Sequence, residues 1–179
     1  IKNLLLDNLL LVDIYNRAKK LHINTDSRRV VFILETNHEK DTVSMESIRT
    51  NLGNKPGDFI TAVDEKSIIV VKELEESDGS EELEQTARTI ISSLDAEIRE
   101  VAHVAYGTVV NEIKEVSRSY KEARMALDVG KIFFDERNVI AYSSLGIGRL
   151  IYQLPIRCVR CLSARFLVAS QRMISMRRH

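Results

Sequence analysis

Apolar residues near the start of the chain recur at helical steps: Leu11, Ile14, Tyr15, Ala18 and Leu21 fall three and four residues apart. Upstream, Leu4, Leu5, Leu6, Leu9 and Leu10 make the segment apolar nearly all round. Such a helix has to be covered on more than one face. The spacing predicts one connecting helix over residues 1–23, paired with a second copy through Leu4, Leu5, Leu9, Leu11 and Tyr15. Residues 24–29 are a polar break. Residues 30–34 are a continuous, largely β-branched apolar run that suits a central strand.

Asp41 or Thr42 can cap the next helix, with Met45, Ile48 and Leu52 inward and Gly53 closing it. Residues 59–63 and 68–74 read as two strands around Asp64-Glu65-Lys66-Ser67, a hairpin. Ser80 is placed to cap a helix whose stripe is Leu83, Ala87, Ile90, Ile91, Leu94 and Ile98. A strand follows over residues 101–106 and ends at Gly107. Asn111 can cap a helix carrying Ile113, Val116, Tyr120, Ala123 and Leu127 on one face, with Gly130 ending it. Residues 139–142 make a last short strand. The order is a helix and then β-α-β-β-α-β-α-β, which predicts an α/β (α+β) fold: a mixed sheet with packed helices, near the ferredoxin-like plan.

Composition narrows the class. The 179 residues are 44% hydrophobic and 29% charged, with two Pro and seven Gly, so the chain can bury a core. Residues 4–12 come closest to a membrane span, but Asp7, Asn8 and Asp13 interrupt them, and no signal peptide is expected. Cys158 and Cys161 are the only cysteines, which rules out a disulfide framework and favours a cytoplasmic home. The opening residue is Ile1, not Met, which points to a fragment of something longer. The net charge of zero hides an asymmetry: residues 150–179 hold six Arg and no acid, leaving 20 basic against 26 acidic side chains before them. The acidic part is not expected to bind nucleic acid by diffuse charge.

Tyr106-Gly107, then Ser119-Tyr120-Lys121-Glu122-Ala123-Arg124-Met125-Ala126-Leu127, Gly130, and Val139-Ile140-Ala141-Tyr142 with Leu145-Gly146 carry a resemblance. Together they look like the carbohydrate diacid (CdaR/PucR-type) regulators, over about residues 3–155. The resemblance implies a bacterial transcription regulator. Its sensory domain would bind sugar diacids, a degenerate diguanylate-cyclase-like (GGDEF-like) domain would follow, and a helix-turn-helix would read DNA. This chain resembles the middle piece, with a GGDEF-like domain over residues 28–150 and neither of its neighbours. It implies a homo-oligomer that relays a signal and meets DNA only through the absent domain, without a membrane.

Active cyclases of that kind need an acid ending the first strand and acids in the hairpin to hold two Mg²⁺ ions, and hairpin glycines that let backbone approach nucleotide. Here Glu35 and Asn37 occupy the first position, Asp64 and Glu65 the second, and Ala62-Val63 stand in place of glycine. The expectation is no catalysis and no cofactor, with Glu35, Asp64 and Glu65 as the weak metal candidates and a turnover-free nucleotide sensor as the rival. His22, His38, His103 and His179 share no ligand spacing, and Cys158 with Cys161 is half a zinc site without its other half. Gly146 and Gly148 lack a phosphate-loop context and read as turn formers. The tail over residues 156–179 places Leu162, Phe166, Ala169, Met173 and Met176 at helical spacing among Arg. An altered frame or disorder is the expectation there; DNA binding through this basic segment is the other rival.

Overall fold

A computed structural model describes residues 1–36, 42–52, 57–64, 67–133 and 138–153. Asn37, His38, Asp41, Gly53, Glu65, Lys66 and the tail with Cys158, Cys161 and His179 lie outside the described residues. Residues Ile1–Leu145 form one compact unit, and Gly146–His179 are a separate one.

The first strand, β1 (Arg29–Glu35), takes the centre of the sheet because its apolar run leaves no polar face. It pairs antiparallel with β3 (Ser67–Glu73) from Arg29↔Glu73 to Glu35↔Ser67, and antiparallel with β4 (His103–Tyr106) from Phe32↔Tyr106 to Glu35↔His103. The edge strands are β2 (Phe59–Ala62), antiparallel to β3, and β5 (Val139–Ala141), parallel to β4. The order β2-β3-β1-β4-β5 is the ferredoxin-like arrangement with one parallel strand added.

Alternation along β1 sends Val31 and Ile33 to one face and Val30, Phe32 and Leu34 to the other, all fully buried. The second face carries α3 (Thr42–Asn51), α4 (Ser80–Ser92) and the single turn α5 (Ala96–Arg99), which supply Ile48, Leu83, Ala87, Ile90 and Ile98. The first face carries α6 (Val116–Phe133), entered through a 3₁₀ turn at Ile113–Glu115, with α1 (Lys2–Leu5) and α2 (Leu11–Lys20) beside it. In the second unit, α7 (Ile147–Gln153) exposes Ile147 and Leu150.

Four local expectations are corrected. The N-terminal segment is two helices, because Asp7 adopts a left-handed backbone (φ 61) that breaks the run between them. The stripe from Leu83 to Ile98 is likewise broken, with α4 ending at Ser92 and α5 starting at Ala96. Ser80 is the first helical residue of α4, and Gly79 stands at the cap without a side-chain bond. Gly130 does not end α6, which runs on to Phe133. Its missing side chain admits β5 instead: a Cβ at Gly130 would lie 2.1 Å from Ile140 Cδ1. The end of α2 follows a known device. His22 is left-handed (φ 53), and the Ile23 amide closes back onto the Ala18 carbonyl at 2.9 Å while its side chain joins the core.

A clamp fixes α6 to the sheet. Ser119 Oγ accepts the Val31 amide at 3.1 Å and donates to the Thr108 carbonyl at 2.8 Å. The Glu122 carboxylate accepts the Thr108 amide at 2.9 Å and the Thr108 hydroxyl. Gly107 is required between them: a Cβ there would sit 2.1 Å from the Ser119 carbonyl oxygen.

The Gly130–Ile140 contact is testable by a double-mutant cycle. Gly130→Ala improves helix propensity by about 1 kcal/mol, yet is expected to lower stability, because overpacking costs roughly 1–3 kcal/mol. In an Ile140→Ala background the same change is expected to stabilise. Urea unfolding of the four proteins reads the sign reversal, and a Gly130→Ala effect of equal sign in both backgrounds would refute the contact.

Candidate functional site

The end of β1 is where the resemblance implies metal and nucleotide. The sheet register places Glu35 opposite Ser67, at the root of the hairpin, and opposite His103 on β4. Its side chain follows Val31 and Ile33 to the α6 face by alternation. There it meets Lys131 in the last turn of α6, and the two form an ion pair with side chains 17% and 37% exposed. The carboxylate that would hold a cation is thus already held by an ammonium group of the same chain.

The hairpin acid faces the same helix. Burial pushes the Tyr120 phenol above its ordinary value; Arg124 lowers it in part, and Asp64 and Asp128 raise it further. Asp64 therefore stands within electrostatic reach of Tyr120. Arg124 Nε is 3.5 Å from Asp128 Oδ1 one turn along. From Tyr120 through Arg124 and Asp128 to Lys131, this side of α6 carries a ladder of charges toward the sheet end and the hairpin. Ala62 remains in the strand ladder opposite Ile68, and Val63 packs on the α6-side core. The resemblance to active cyclases would put glycines at these two positions, where Ala62 and Val63 stand.

The described residues do not fit a two-metal nucleotide site. Among them, no three His, Cys, Asp or Glu residues stand close enough to share a metal ion. Glu35 and Asp64 come to the same end of the sheet, and Glu35 is engaged by Lys131 of α6; Asn37 and Glu65 lie outside the described residues. Sequence reasoning missed Lys131 altogether. Ser119 and Glu122 were quoted only as part of a motif, and their work is the clamp described above.

The N-terminal surface divides. Leu4 (6% exposed) and Leu5 (0%) pack into the chain's own core beside Ile14 and Ala18, so they offer no face to a second copy. Leu9 is partly buried there as well, whereas Leu11 (58%) and Tyr15 (37%) face outward, as do Leu10 and Val12. The break at Asp7 makes this division: it turns α1 onto α6, where Asp7 pairs with Lys121 at 2.9 Å.

The Glu35–Lys131 pair is half-buried, and coupling in a cycle of Glu35→Gln and Lys131→Met is expected at about 1 kcal/mol, above the usual exposed pair. Chemical denaturation at low and high salt measures it; zero coupling at both salts would show that the pair does not hold the strand end.

Comparison with known proteins adds one positive finding. A search of curated proteins returns no match. The GGDEF-like domain family matches residues 8–129, more than half of the chain and the span that runs from α2 through β4 into α6. The chain belongs to the GGDEF-like domain family.

Proposed function

We propose that this chain is a non-catalytic signal-relay and dimerisation domain of a bacterial transcription regulator that responds to sugar diacids or similar metabolites. The observation that carries the relay is the seat of the N-terminal helices on α6. Leu4 and Leu5 are buried against the core that α6 completes, and Asp7 reaches Lys121 on α6 itself. Tyr15 on α2 donates to Glu112 at 3.3 Å, just before the 3₁₀ turn that starts α6. The far half of α6 packs on β5, the last strand before the chain leaves this unit at Leu145. One helix therefore touches both the entering and the leaving segment.

An open pocket of about 600 Å³ lies beside the seat, lined by Leu4, Leu9, Ile14, Ile23, Phe59 and Ile113. A relay needs an element with two discrete packings, and a helix pair bordered by an open pocket is a better candidate than one sealed into the core. Two features support the non-catalytic part: the Lys131 ammonium on Glu35, and Ala62 with Val63 where glycine is needed. The outward Leu10, Leu11, Val12 and Tyr15 supply the surface for a second copy. No helix among the described residues is long and apolar enough to cross a membrane.

The relay is tested by hydrogen exchange on the full chain. Loosening the seat with Leu5→Ala and Asp7→Asn is expected to reduce protection in the second half of α6 and in β5. A change confined to the first twenty or so residues would sink the relay, since local opening then stops at the seat. Acid supplies a second handle. The hydrogen bond and charge of Lys121 hold the Asp7 carboxyl below its ordinary value. Its contribution is complete above the unfolded carboxylate value and is lost as pH falls through the lower folded value. Protection of α1 should fall in that acid window in the native chain and lose that step in Asp7→Asn. Incubation with GTP and Mg²⁺ is expected to yield no cyclic dinucleotide, and any enzymatic yield refutes the non-catalytic reading. Sedimentation is expected to show a dimer weakened by Leu11→Ser with Tyr15→Ser; a monomer at high concentration removes the dimerisation part alone.

A further inference from the structure

A second site lies on the opposite face of the sheet from α6. There α4, α5, β4 and β5 line a groove of about 720 Å³ that shares no residue with the hairpin or the N-terminal helices. Tyr106, the last residue of β4, contributes to its wall and is only 8% exposed. The ring packs tilted on Phe32, with centroids 5.4 Å apart. The hydroxyl finds no hydrogen-bond partner among the described residues, and it reaches the groove rather than being sealed in the core. That hydroxyl is open to solvent in the groove, so a ligand acceptor can take the place of water there. Burial first, and the Glu84 carboxylate second, hold the phenol above its ordinary value, so it remains a donor at neutral pH.

The surrounding groups are positioned rather than loose. Arg99 Nη2 donates to the carbonyls of Ser92 at 3.1 Å and Leu94 at 2.9 Å. Its own carbonyl accepts from Asn138 Nδ2 at 3.3 Å. A guanidinium has five N–H donors, so anchoring through one nitrogen leaves others for a ligand. Arg88 is steadied by Glu84 at 2.7 Å. Ser144 Oγ donates to the Ala141 carbonyl at 2.8 Å and keeps its lone pairs as acceptors. Ile91 and Val139 give the groove an apolar floor. Of the charged residues lining the groove, Arg88 and Arg99 outnumber Glu84, which favours an anion.

We propose that this groove binds a small organic anion, whose carboxylate or phosphate group is received by Tyr106 and Arg99 with Arg88 at the rim, and whose carbon skeleton lies on Ile91 and Val139. Ser144 and Asn138 offer acceptors to hydroxyl groups on the same ligand. The domain then carries a ligand site of its own, independent of any sensory domain and of the hairpin position.

Calorimetric titration of the full chain with malonate, with glycerol phosphate, and with sodium chloride at matched ionic strength tests this. Saturable binding of one or both organic anions is expected, weakened about tenfold or more in Tyr106→Phe and in Arg99→Gln. Tyr106→Phe keeps the packed ring. Arg99→Gln alters an exposed side chain, so it keeps the test open if the first variant unfolds. Arg124→Gln, on the other face, is expected to leave affinity unchanged. Saturation by malonate alone identifies a carboxylate ligand, and by glycerol phosphate alone a phosphorylated one; either supports the site. No saturation by either anion up to about 10 mM, or affinity equal to wild type in both groove variants, overturns it.

Discussion

A strand that is apolar on both faces has to be covered twice, and that single constraint organises this molecule. Residues 30–34 have no exposed side chain among them. Each buried Val, Ile, Leu or Phe contributes roughly 1.5–3 kcal/mol relative to exposure, so β1 cannot sit at an edge or under one layer. The crossover helices α3 and α4 cover one face, as the ferredoxin-like connections require. The other face is left to α6, and the N-terminal helices fill the area that α6 leaves. The additional parallel strand follows from the same demand. A helix that crosses the second face and returns to the sheet must deliver its next strand parallel to the one before it, which is β5 beside β4.

Because α6 closes that second face, the groups that fix it are the groups the fold can least vary. Gly107 and Gly130 both lack side chains for reasons of approach: one to the Ser119 backbone, the other to the Ile140 side chain. They differ in what would have to yield. Backbone at Ser119 is held by the helix and cannot move a few tenths of an ångström without shifting α6, while the far end of Ile140 can turn aside. The motif through which the sequence declares its relationship is therefore mostly a statement about docking a helix. Ser119, Glu122 and Gly107 carry hydrogen bonds and clearance, and none reaches the sheet end where chemistry would sit. Arg29 shows the same economy at the start of β1. Its buried guanidinium donates to the Asn24 carbonyl at 2.6 Å and lies 3.5 Å from Glu73, tying the loop after α2 to the sheet.

Strand and helix identities were legible in the sequence because periodicity is a local signal and burial amplifies it. The run at residues 30–34, the hairpin around Asp64 and the stripe of α4 were all readable in that way. What stayed hidden was decided by one backbone angle or by distant partners. Asp7 gives no compositional warning that it will turn left-handed, since Asp is ordinary inside a polar break, and the Leu-rich segment around it therefore read as one helix. Gly130 carried a true signal with two meanings, a helix end or a close approach, and only its neighbour β5 decides between them. Lys131 lies 96 residues from Glu35. No spacing rule links them, and the pair exists because the register of β1 and the length of α6 bring both to the same end of the sheet.

That separation also explains why the hairpin position and the groove beneath Tyr106 differ as candidate sites. At the end of β1, the polar groups are answered from within: Glu35 by Lys131 and, further along α6, Arg124 by Asp128. A ligand arriving there would have to displace a contact of the chain before making one of its own, and the exchange gains little. In the groove, the hydroxyl of Tyr106 opens to solvent with no partner from the described residues, and the anchored Arg99 loses little freedom on receiving an anion. Preorganised donors with N–H groups to spare favour binding, whereas matched charges favour stability. The same fold thus matches charges at the end of β1 and leaves donors facing an open groove on the opposite face, which is where ligand chemistry has something to gain.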